Sequence, residues 1–182
     1  EKFNYYIKRH QLEEIIDYIK TGGRNVLLHS DLGNGKTLFL NGLDTLLTNL
    51  GYNVYWFKKY YEHTDYEIEK LCNFNQKSVI IIDSYGSHLL LLKKLSLFRT
   101  KDLIVIVADR SLINDTVYST LEEVIFSDNY LTKDLNKLDE NEIDSLIQLI
   151  DSYGFWGNLT SESQRKKQQI IKNELYCFED RK

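Results

Sequence analysis

The fold of this chain is decided by the stretch Ser30-Asp31-Leu32-Gly33-Asn34-Gly35-Lys36-Thr37. A mostly apolar run at residues 25–29 comes directly before it, and an apolar pattern with helical spacing at residues 38–50 comes directly after it. A strand, a glycine-containing loop and a helix in that order form a cradle for phosphate, because the loop and the first turn of the helix direct free N–H groups at the same anion. The stretch therefore predicts a phosphate-binding loop.

The residue types within this loop fit a nucleoside triphosphate bound with magnesium. The glycines let the backbone curl, the lysine reaches the β- and γ-phosphates, and the threonine hydroxyl ligates Mg²⁺. The predicted ligands are ATP or ADP with Mg²⁺, and the predicted binding residues are Leu32, Gly33, Asn34, Gly35, Lys36, Thr37 and Leu38. Ser30 stands where the motif has glycine, although serine is small enough to replace it. The alternative interpretation is a chance Gly-Asn-Gly turn followed by a solvated lysine.

A second apolar run, residues 78–83, ends in the carboxylate Asp83. Such a run is typical of a buried strand in a parallel sheet. Magnesium bound to a triphosphate needs a hard oxygen ligand beside the hydroxyl of Thr37, so we predict that Thr37 and Asp83 together hold the metal. The alternative is an aspartate that ends a strand and begins a turn.

The residue after Asp83 is Ser84, where many ATPases carry an acidic residue that activates the attacking water. Serine is not a strong base at neutral pH, so the sequence predicts slow hydrolysis or a base from elsewhere. The candidates for that base are Asp109, Glu62 and Asp65. Slow turnover suits a switch better than a motor.

Five predicted strands alternate with helices along the chain. They cover residues 25–29, 53–58, 78–83, 102–108 and 123–126. This alternation predicts an α/β fold, a parallel five-stranded sheet with strand order 5-1-4-3-2 and helices on both faces. Ligands on such sheets bind outside the carboxyl ends of the strands, where the phosphate loop, Asp83, Asp109 and Arg110 should meet. Arg110 is then placed to contact the γ-phosphate, unless it is a solvated residue at the strand end.

The flanking segments predict the domain organisation. Residues 1–22 read as an N-terminal segment with a helix, residues 23–135 as the core, and residues 136–182 as a helical lid packed against the nucleotide edge. Capping-box patterns predict helices that begin at Thr64 and after Asp139. Arg9, ahead of the first helix, is predicted to lie near phosphate; the alternative is an exposed basic residue on a packed segment.

Composition excludes several classes of protein. The net charge of −4 gives no general attraction to nucleic acid, and the chain has no apolar run of the length that spans a membrane. Its two cysteines lie far apart in the sequence, which is typical of reduced thiols in the cytoplasm. The chain does not begin with methionine, which suggests a piece of a longer protein.

These motifs together resemble the nucleotide-binding domain of STAND-type P-loop ATPases, a signal-transducing branch close to the AAA+ proteins. The resemblance rests on residues 6–9 as the N-terminal motif, 32–37 as the phosphate loop, 80–83 as the Walker B strand, 105–110 as the sensor strand and 138–143 as the start of the lid. It implies a three-layer P-loop NTPase sandwich with a small C-terminal helical lid. It also implies catalytic roles for Lys36, Asp83, Asp109 and Arg110.

Members of that family bind ATP, often hold ADP at rest, and oligomerise when a sensor domain detects a trigger. Bacterial members commonly serve in antiphage defence, with effector and sensor domains in the same chain. The resemblance thus implies self-association and partner domains in the full-length protein. Two other functions stay open: an AAA+-like motor or loader on nucleic acid, which the acidic balance and Ser84 disfavour, and a decayed nucleotide site that serves as an interaction module.

Overall fold

The computed structural model describes residues 7–73, 76–98, 103–124 and 129–176. Strands and helices alternate along the described chain, as the sequence predicts. In chain order they are α1 (His10–Lys20), β1 (Asn25–Ser30), α2 (Lys36–Asn49), β2 (Asn53–Phe57), α3 (Thr64–Cys72), β3 (Ser78–Asp83), α4 (Leu89–Phe98), β4 (Leu103–Arg110), α5 (Ser111–Val124), β5 (Leu131–Asp134), α6 (Glu140–Tyr153) and α7 (Gln164–Tyr176). A short 3-10 turn, Tyr85–His88, links β3 to α4.

The strands form one sheet with the order β2-β3-β4-β1-β5, and every pairing in it is parallel. This is the predicted order 5-1-4-3-2 read from the other edge, so the predicted α/β class and sheet are confirmed. The central strands β3 and β4 are buried along nearly their whole length, because helices cover both faces of a parallel sheet. That burial explains why their residues form continuous apolar runs that end in a polar residue.

The fifth strand does not lie where the sequence predicts it. Glu123 and Val124 are the last residues of α5, residues 125–126 lie outside the described part of the chain, and the strand that pairs with β1 is Leu131–Asp134. An edge strand with one partner needs no apolar run, since one of its faces stays exposed. The alternation of half-buried and exposed residues in β5 fits that position, and the apolar signal at residues 123–126 was misleading.

A smaller correction concerns the start of α3. The helix begins at Thr64 as predicted, but no side chain caps it, so the predicted capping box is wrong. The Thr64 hydroxyl instead accepts a hydrogen bond from the backbone N–H of Tyr61, three residues earlier, at 2.8 Å. Threonine hydroxyls commonly bond nearby backbone groups in turns, which competes with the capping role.

The chain divides into two compact units. The larger comprises residues 10–136 and contains the sheet; the smaller comprises residues 137–176 together with residues 7–9 among those described. The smaller unit is helical, and its core consists of Ile143, Ile147, Trp156 and Ile171. None of the described helices has the length and apolar character needed to cross a membrane.

Candidate functional site

The loop between β1 and α2 has the backbone shape of a phosphate cradle. Gly33 and Gly35 take left-handed conformations with φ of 91° and 76°, which glycine adopts without the steric cost that other residues meet. Gly35 is also the N-cap of α2, and no side chain caps that helix. The first N–H groups of a helix have no partner within the helix, so the start of α2 is open to an anion.

Lys36, the first residue of α2, folds its ammonium group back over the loop. Its Nζ donates to the carbonyl oxygens of Ser30 and Asp31, at 2.9 and 3.0 Å, and to Oγ of Ser30 at 3.0 Å. Ser30, which stands where the motif has glycine, is fully buried, and its hydroxyl is one of the acceptors of the lysine. Burial lowers the pKa of Lys36 from its ordinary value, because partial desolvation disfavours the charged form.

Thr37 and Asp83 meet across the sheet edge. The Thr37 hydroxyl donates to Oδ2 of Asp83 at 2.9 Å, although β4 lies between the strands that precede them. A hydroxyl and a carboxylate are hard oxygen donors of the kind that Mg²⁺ prefers, with substrate phosphates and water completing its shell. The donor set therefore fits the predicted magnesium site, and these two side chains would hold the ion.

The tip of β4 lies at the same edge. The sheet register places Arg110 beside Ser30 and Ala108 beside Asp83. Among smaller influences on the pKa of Lys36, the positive charge of Arg110 lowers it, whereas Asp83 and Asp109 raise it. The charged residues that the sequence assigns to the site are thus within electrostatic reach of the lysine.

Asp109 is buried, and its two carboxylate oxygens accept separate backbone hydrogen bonds. Oδ2 accepts from the N–H of Gly86 at 2.7 Å, and Oδ1 accepts from the N–H of Arg110 at 2.8 Å. Asp109 thereby ties the end of β4 to the 3-10 turn that follows Asp83. A Cβ on Gly86 would come within 2.4 Å of Cγ2 of Ile113 and 3.0 Å of Oδ2 of Asp109. Gly86 is therefore a residue of the site's framework that sequence reasoning missed.

Ser84 joins β3 to this turn in an uncommon conformation. Its φ of 60° and ψ of 50° lie in the left-handed region. Among the described residues, Ser84 is the one residue other than glycine with a positive φ. Residues in such conformations persist where their surroundings enforce them, often at functional sites. No sequence signal marks this strain, since serine is common in turns of every type.

Arg9 lies in the smaller unit, where Nη2 donates to the carbonyl of Lys137 at 2.6 Å. Its Nε lies 3.3 Å from Oε2 of Glu142, and both side chains are buried. A role for Arg9 near phosphate stays a prediction. Tyr6, which begins the N-terminal motif, lies outside the described residues.

Asn136 is the second residue that sequence reasoning missed. Its side-chain oxygen accepts hydrogen bonds from the N–H of Asp31 and from Nδ2 of Asn34, each at 2.7 Å. An asparagine two residues after a polar strand carries no motif, so only the fold reveals this contact with the phosphate loop.

A cavity of about 870 Å³ lies elsewhere on the larger unit, between β2 and α3. Aromatic residues of β2 and apolar residues of α3 line it, including Trp56, Phe57 and Ile68. None of the residues that line it belongs to the predicted nucleotide site.

No protein-family model and no curated protein matches the chain. Solved structures do resemble it, at low identity. They include Hsp104 with ATPγS and FITC-casein (TM-score 0.54, 13% identity, 79% of this chain and 30% of that one), the ORC2 protein of Aeropyrum pernix in ADPNP and ADP complexes (0.51, 11%, 78% and 50%) and AMPPCP-bound DnaA from Aquifex aeolicus (0.50, 12%, 96% and 65%).

The chain spans between 30% and 65% of the length of these three proteins. They share the parallel α/β architecture of P-loop ATPases, and at such identity the likeness bears on the fold. The strand order, the glycine-containing loop between β1 and α2, and the position of Asp83 at the end of β3 agree with that fold. The larger unit of this chain has the fold of a P-loop NTPase.

Proposed function

We propose that this chain is an ATP-binding switch domain that hydrolyses ATP slowly and belongs to a larger STAND-type signalling or defence protein. The observation that carries the proposal is the 2.9 Å hydrogen bond between Thr37 of the phosphate loop and Asp83 at the tip of β3. It joins a hydroxyl and a carboxylate, oxygen donors of the kind that Mg²⁺ takes beside substrate phosphates and water. A chance Gly-Asn-Gly turn gives no reason for a carboxylate to meet the threonine that follows it.

The nucleotides bound in the solved structures that resemble this chain support the choice of an adenine nucleotide. ATPγS, ADPNP with ADP, and AMPPCP are the nucleotides named for the three structures above. In this chain the phosphates would be held by the N–H groups at the start of α2 and by Lys36, which would turn from Ser30 and Asp31 to the anion. Mg²⁺ would neutralise charge on the β- and γ-phosphates and hold them in place.

The arrangement of the carboxylates supports slow hydrolysis. Ser84 offers a neutral hydroxyl where a base is expected. Both oxygens of Asp109 accept backbone hydrogen bonds, and Asp65 pairs with Lys94. These contacts engage two of the three candidate bases in positioning the protein, whereas Glu62 is exposed and stays a candidate. Because no acidic residue follows Asp83 directly, we expect a bound triphosphate to persist for long periods.

Long-lived ATP and ADP states give a domain the means to switch. In this proposal Lys36 and Arg110 would contact the γ-phosphate, and charge-assisted contacts with that group would exist only in the ATP state. A ligand changes a conformational equilibrium only through such differential contacts. We infer that the ATP state favours self-association of the full-length protein and that hydrolysis reverses it.

The first experiment is calorimetric titration of ATP and ADP, with Mg²⁺, into the chain and its Lys36→Ala variant. We expect the variant to bind ATP about 10- to 100-fold more weakly, because a charge-assisted hydrogen bond contributes about 1.5–3 kcal/mol. Lys93→Ala is the matched control, since Lys93 is an exposed lysine of α4. Chelation of Mg²⁺ should weaken ATP binding in the wild type as well.

Two results would overturn the proposal. One is ATP binding of equal strength in the wild type and in Lys36→Ala, which would place the nucleotide elsewhere. The other is a folded wild type that binds neither nucleotide, as a decayed site would. Turnover measured with and without single-stranded and double-stranded DNA separates the switch from a motor, because a motor should be stimulated by nucleic acid.

A further inference from the structure

Asn136 contacts the phosphate loop with both lone pairs of one oxygen. Its Oδ1 accepts from the backbone N–H of Asp31 and from Nδ2 of Asn34, each at 2.7 Å. A carboxamide oxygen has two lone pairs, so its capacity as an acceptor is filled by the loop alone. The two donors lie three residues apart, so the contact spans residues 31–34, which we call the outer limb of the loop.

The rest of Asn136 is fixed to its own surroundings. Its N–H donates to Oδ1 of Asp134 at 2.9 Å, and the neighbouring N–H of Leu135 donates to the carbonyl of His29 at 2.8 Å. Its side-chain nitrogen lies 3.4 Å from Oγ of Ser111, the residue that follows Arg110. Hydrogen bonds thus fix Asn136 to the end of β5 and to the start of α5, and fix its neighbour Leu135 to β1.

The loop has open space beside its two glycines. A Cβ placed on Gly33 or Gly35 would meet no atom within 4 Å, so no neighbouring group fills the position of a side chain there. The hydrogen bonds from Lys36 to Ser30 and Asp31 also hold the loop. They use the ammonium group that would bind phosphate, so they would break when the nucleotide binds. The bonds of Asn136 use the N–H of Asp31 and the side-chain amide of Asn34. They leave free the ammonium group of Lys36 and the backbone N–H of Asn34 that the proposed nucleotide would use, so they can persist when it binds.

We infer that Asn136 is a positioning residue, which holds the outer limb of the phosphate loop open for the nucleotide and acts through Asp31 and Asn34 rather than by touching phosphate. The effect on nucleotide affinity rests on the proposed function; the effect on the loop does not. Pre-ordering a loop in its binding shape raises affinity by lowering the entropic cost of binding.

The experiment measures two quantities in the 182-residue chain and in its Asn136→Ala, Asn136→Asp and Asn129→Ala variants. The first is amide hydrogen exchange at Asp31 in the nucleotide-free protein, followed by NMR. The second is the dissociation constant of ATP, measured by calorimetry. Asn129 is the matched control, because it is an exposed asparagine ahead of β5.

We expect Asn136→Ala to speed exchange at Asp31 and to raise the dissociation constant of ATP, each by about tenfold, the effect of losing a hydrogen bond or two. Asn136→Asp keeps an acceptor oxygen and should restore slow exchange, while its new charge still weakens ATP binding. Asn129→Ala should change neither quantity. Combining Asn34→Ala with Asn136→Ala should weaken ATP binding no more than Asn136→Ala alone, because coupled residues are not additive.

The outcomes separate this inference from the proposed function. Unchanged exchange at Asp31 in Asn136→Ala would overturn the inference whether or not ATP binds. Faster exchange with unchanged ATP affinity would show that the contact does not serve nucleotide binding, which also overturns it. A wild type that binds no ATP would defeat the proposed function, while the exchange data would still decide whether Asn136 holds the loop.

Discussion

Helices α2 and α6 begin in opposite ways. At α6 the Asp139 side chain accepts from the N–H of Glu142 at 2.8 Å, and the Glu142 side chain accepts from the N–H of Asp139 at 3.1 Å. At α2 the N-cap is the left-handed Gly35, no side chain caps the helix, and its first turn holds no acidic residue. The first residue of α2 is instead the cation Lys36.

The difference is between a helix start that the chain's own side chains cap and one that they leave uncapped, which in the proposed function receives phosphate. A capping box satisfies two backbone donors with the chain's own carboxylates, so α6 offers little to an external anion. The start of α2 keeps its donors and its dipole uncompensated, which costs stability in the free protein and favours an anion. Changing the charge at each end tests this contrast.

The largest effect is expected for Glu142→Ala, which removes one half of the capping box and the buried partner of Arg9 together. Loss of one member of a buried ion pair typically costs about 3–5 kcal/mol, and because Arg9 keeps its bond to the Lys137 carbonyl we expect about 3 kcal/mol. Urea unfolding followed by Trp156 fluorescence, in a Trp56→Phe background, reports the smaller unit selectively, since Trp156 lies in its core.

The matched control for Glu142→Ala is Glu140→Ala, in the same turn of α6. Glu140 is exposed and pairs with Lys172 at the surface, and such pairs contribute less than about 1 kcal/mol. If both variants lost the same stability, the buried pair with Arg9 would have no special role in the smaller unit.

The next effect is expected for Leu38→Glu, which gives the first turn of α2 the acidic residue that it lacks. Leu38 is 52% exposed, so its replacement leaves no cavity. The new carboxylate should stabilise the free protein by about 0.3–1 kcal/mol. It should weaken ATP binding by about tenfold, because it repels the phosphates.

If the helix end is open to phosphate, Leu38→Glu should raise the stability of the free protein and at the same time lower its affinity for ATP. Leu38→Gln has nearly the same shape without the charge, and it should leave both quantities close to those of the wild type. Thermal unfolding and calorimetric titration measure the two quantities on the same samples. An ATP affinity equal in Leu38→Glu and Leu38→Gln would mean that phosphate does not approach this turn.

A smaller effect is expected for Asp139→Ala, which opens the closed end of α6. Loss of an N-cap side chain costs about 1 kcal/mol of stability, and Trp156 fluorescence during urea unfolding should report it. Asp139→Asn keeps an acceptor oxygen and should lose much less. Equal losses in the two variants would show that the cap of α6 contributes by its charge rather than by its hydrogen bond.

The sequence predicted those features that depend on neighbouring residues. The phosphate loop, Asp83 at the end of an apolar run and the capping box at Asp139 each need only a few consecutive positions, and the structure has all three backbone features. The strand order also followed from the pattern, because parallel strands joined by helices obey few topologies. The roles of the phosphate loop and of Asp83 in nucleotide binding remain predictions.

The features that sequence reasoning missed depend on contacts distant in the chain. Asn136 matters because Asp31 and Asn34 lie beside it, more than 100 residues away in sequence. Gly86 matters because Asp109 and Ile113 leave no room for a Cβ. The position of β5 depends on β1 having a free edge, not on apolar residues in β5 itself.

Ser84 provides the smallest and most local test of the comparison. It precedes the 3-10 turn as Gly35 precedes α2, left-handed and without a side-chain cap, yet it is not glycine. A left-handed serine costs about 1 kcal/mol, and glycine would relieve that cost while adding about 0.5–1 kcal/mol of unfolded-state entropy. Ser84→Gly should therefore change stability by less than about 0.5 kcal/mol, in the stabilising direction.

Ser84→Ala supplies the contrast, because alanine gains no freedom at positive φ and should destabilise the protein slightly. Thermal unfolding of the larger unit, followed by Trp56 fluorescence in a Trp156→Phe background, compares the two variants. If Ser84→Gly raises the unfolding temperature and Ser84→Ala lowers it, the left-handed backbone after Asp83 is strained in the wild type. The phosphate loop avoids such strain because glycine occupies its left-handed positions. Shifts of the same sign would mean that loss of the Ser84 hydroxyl, rather than relief of backbone strain, causes the change in stability.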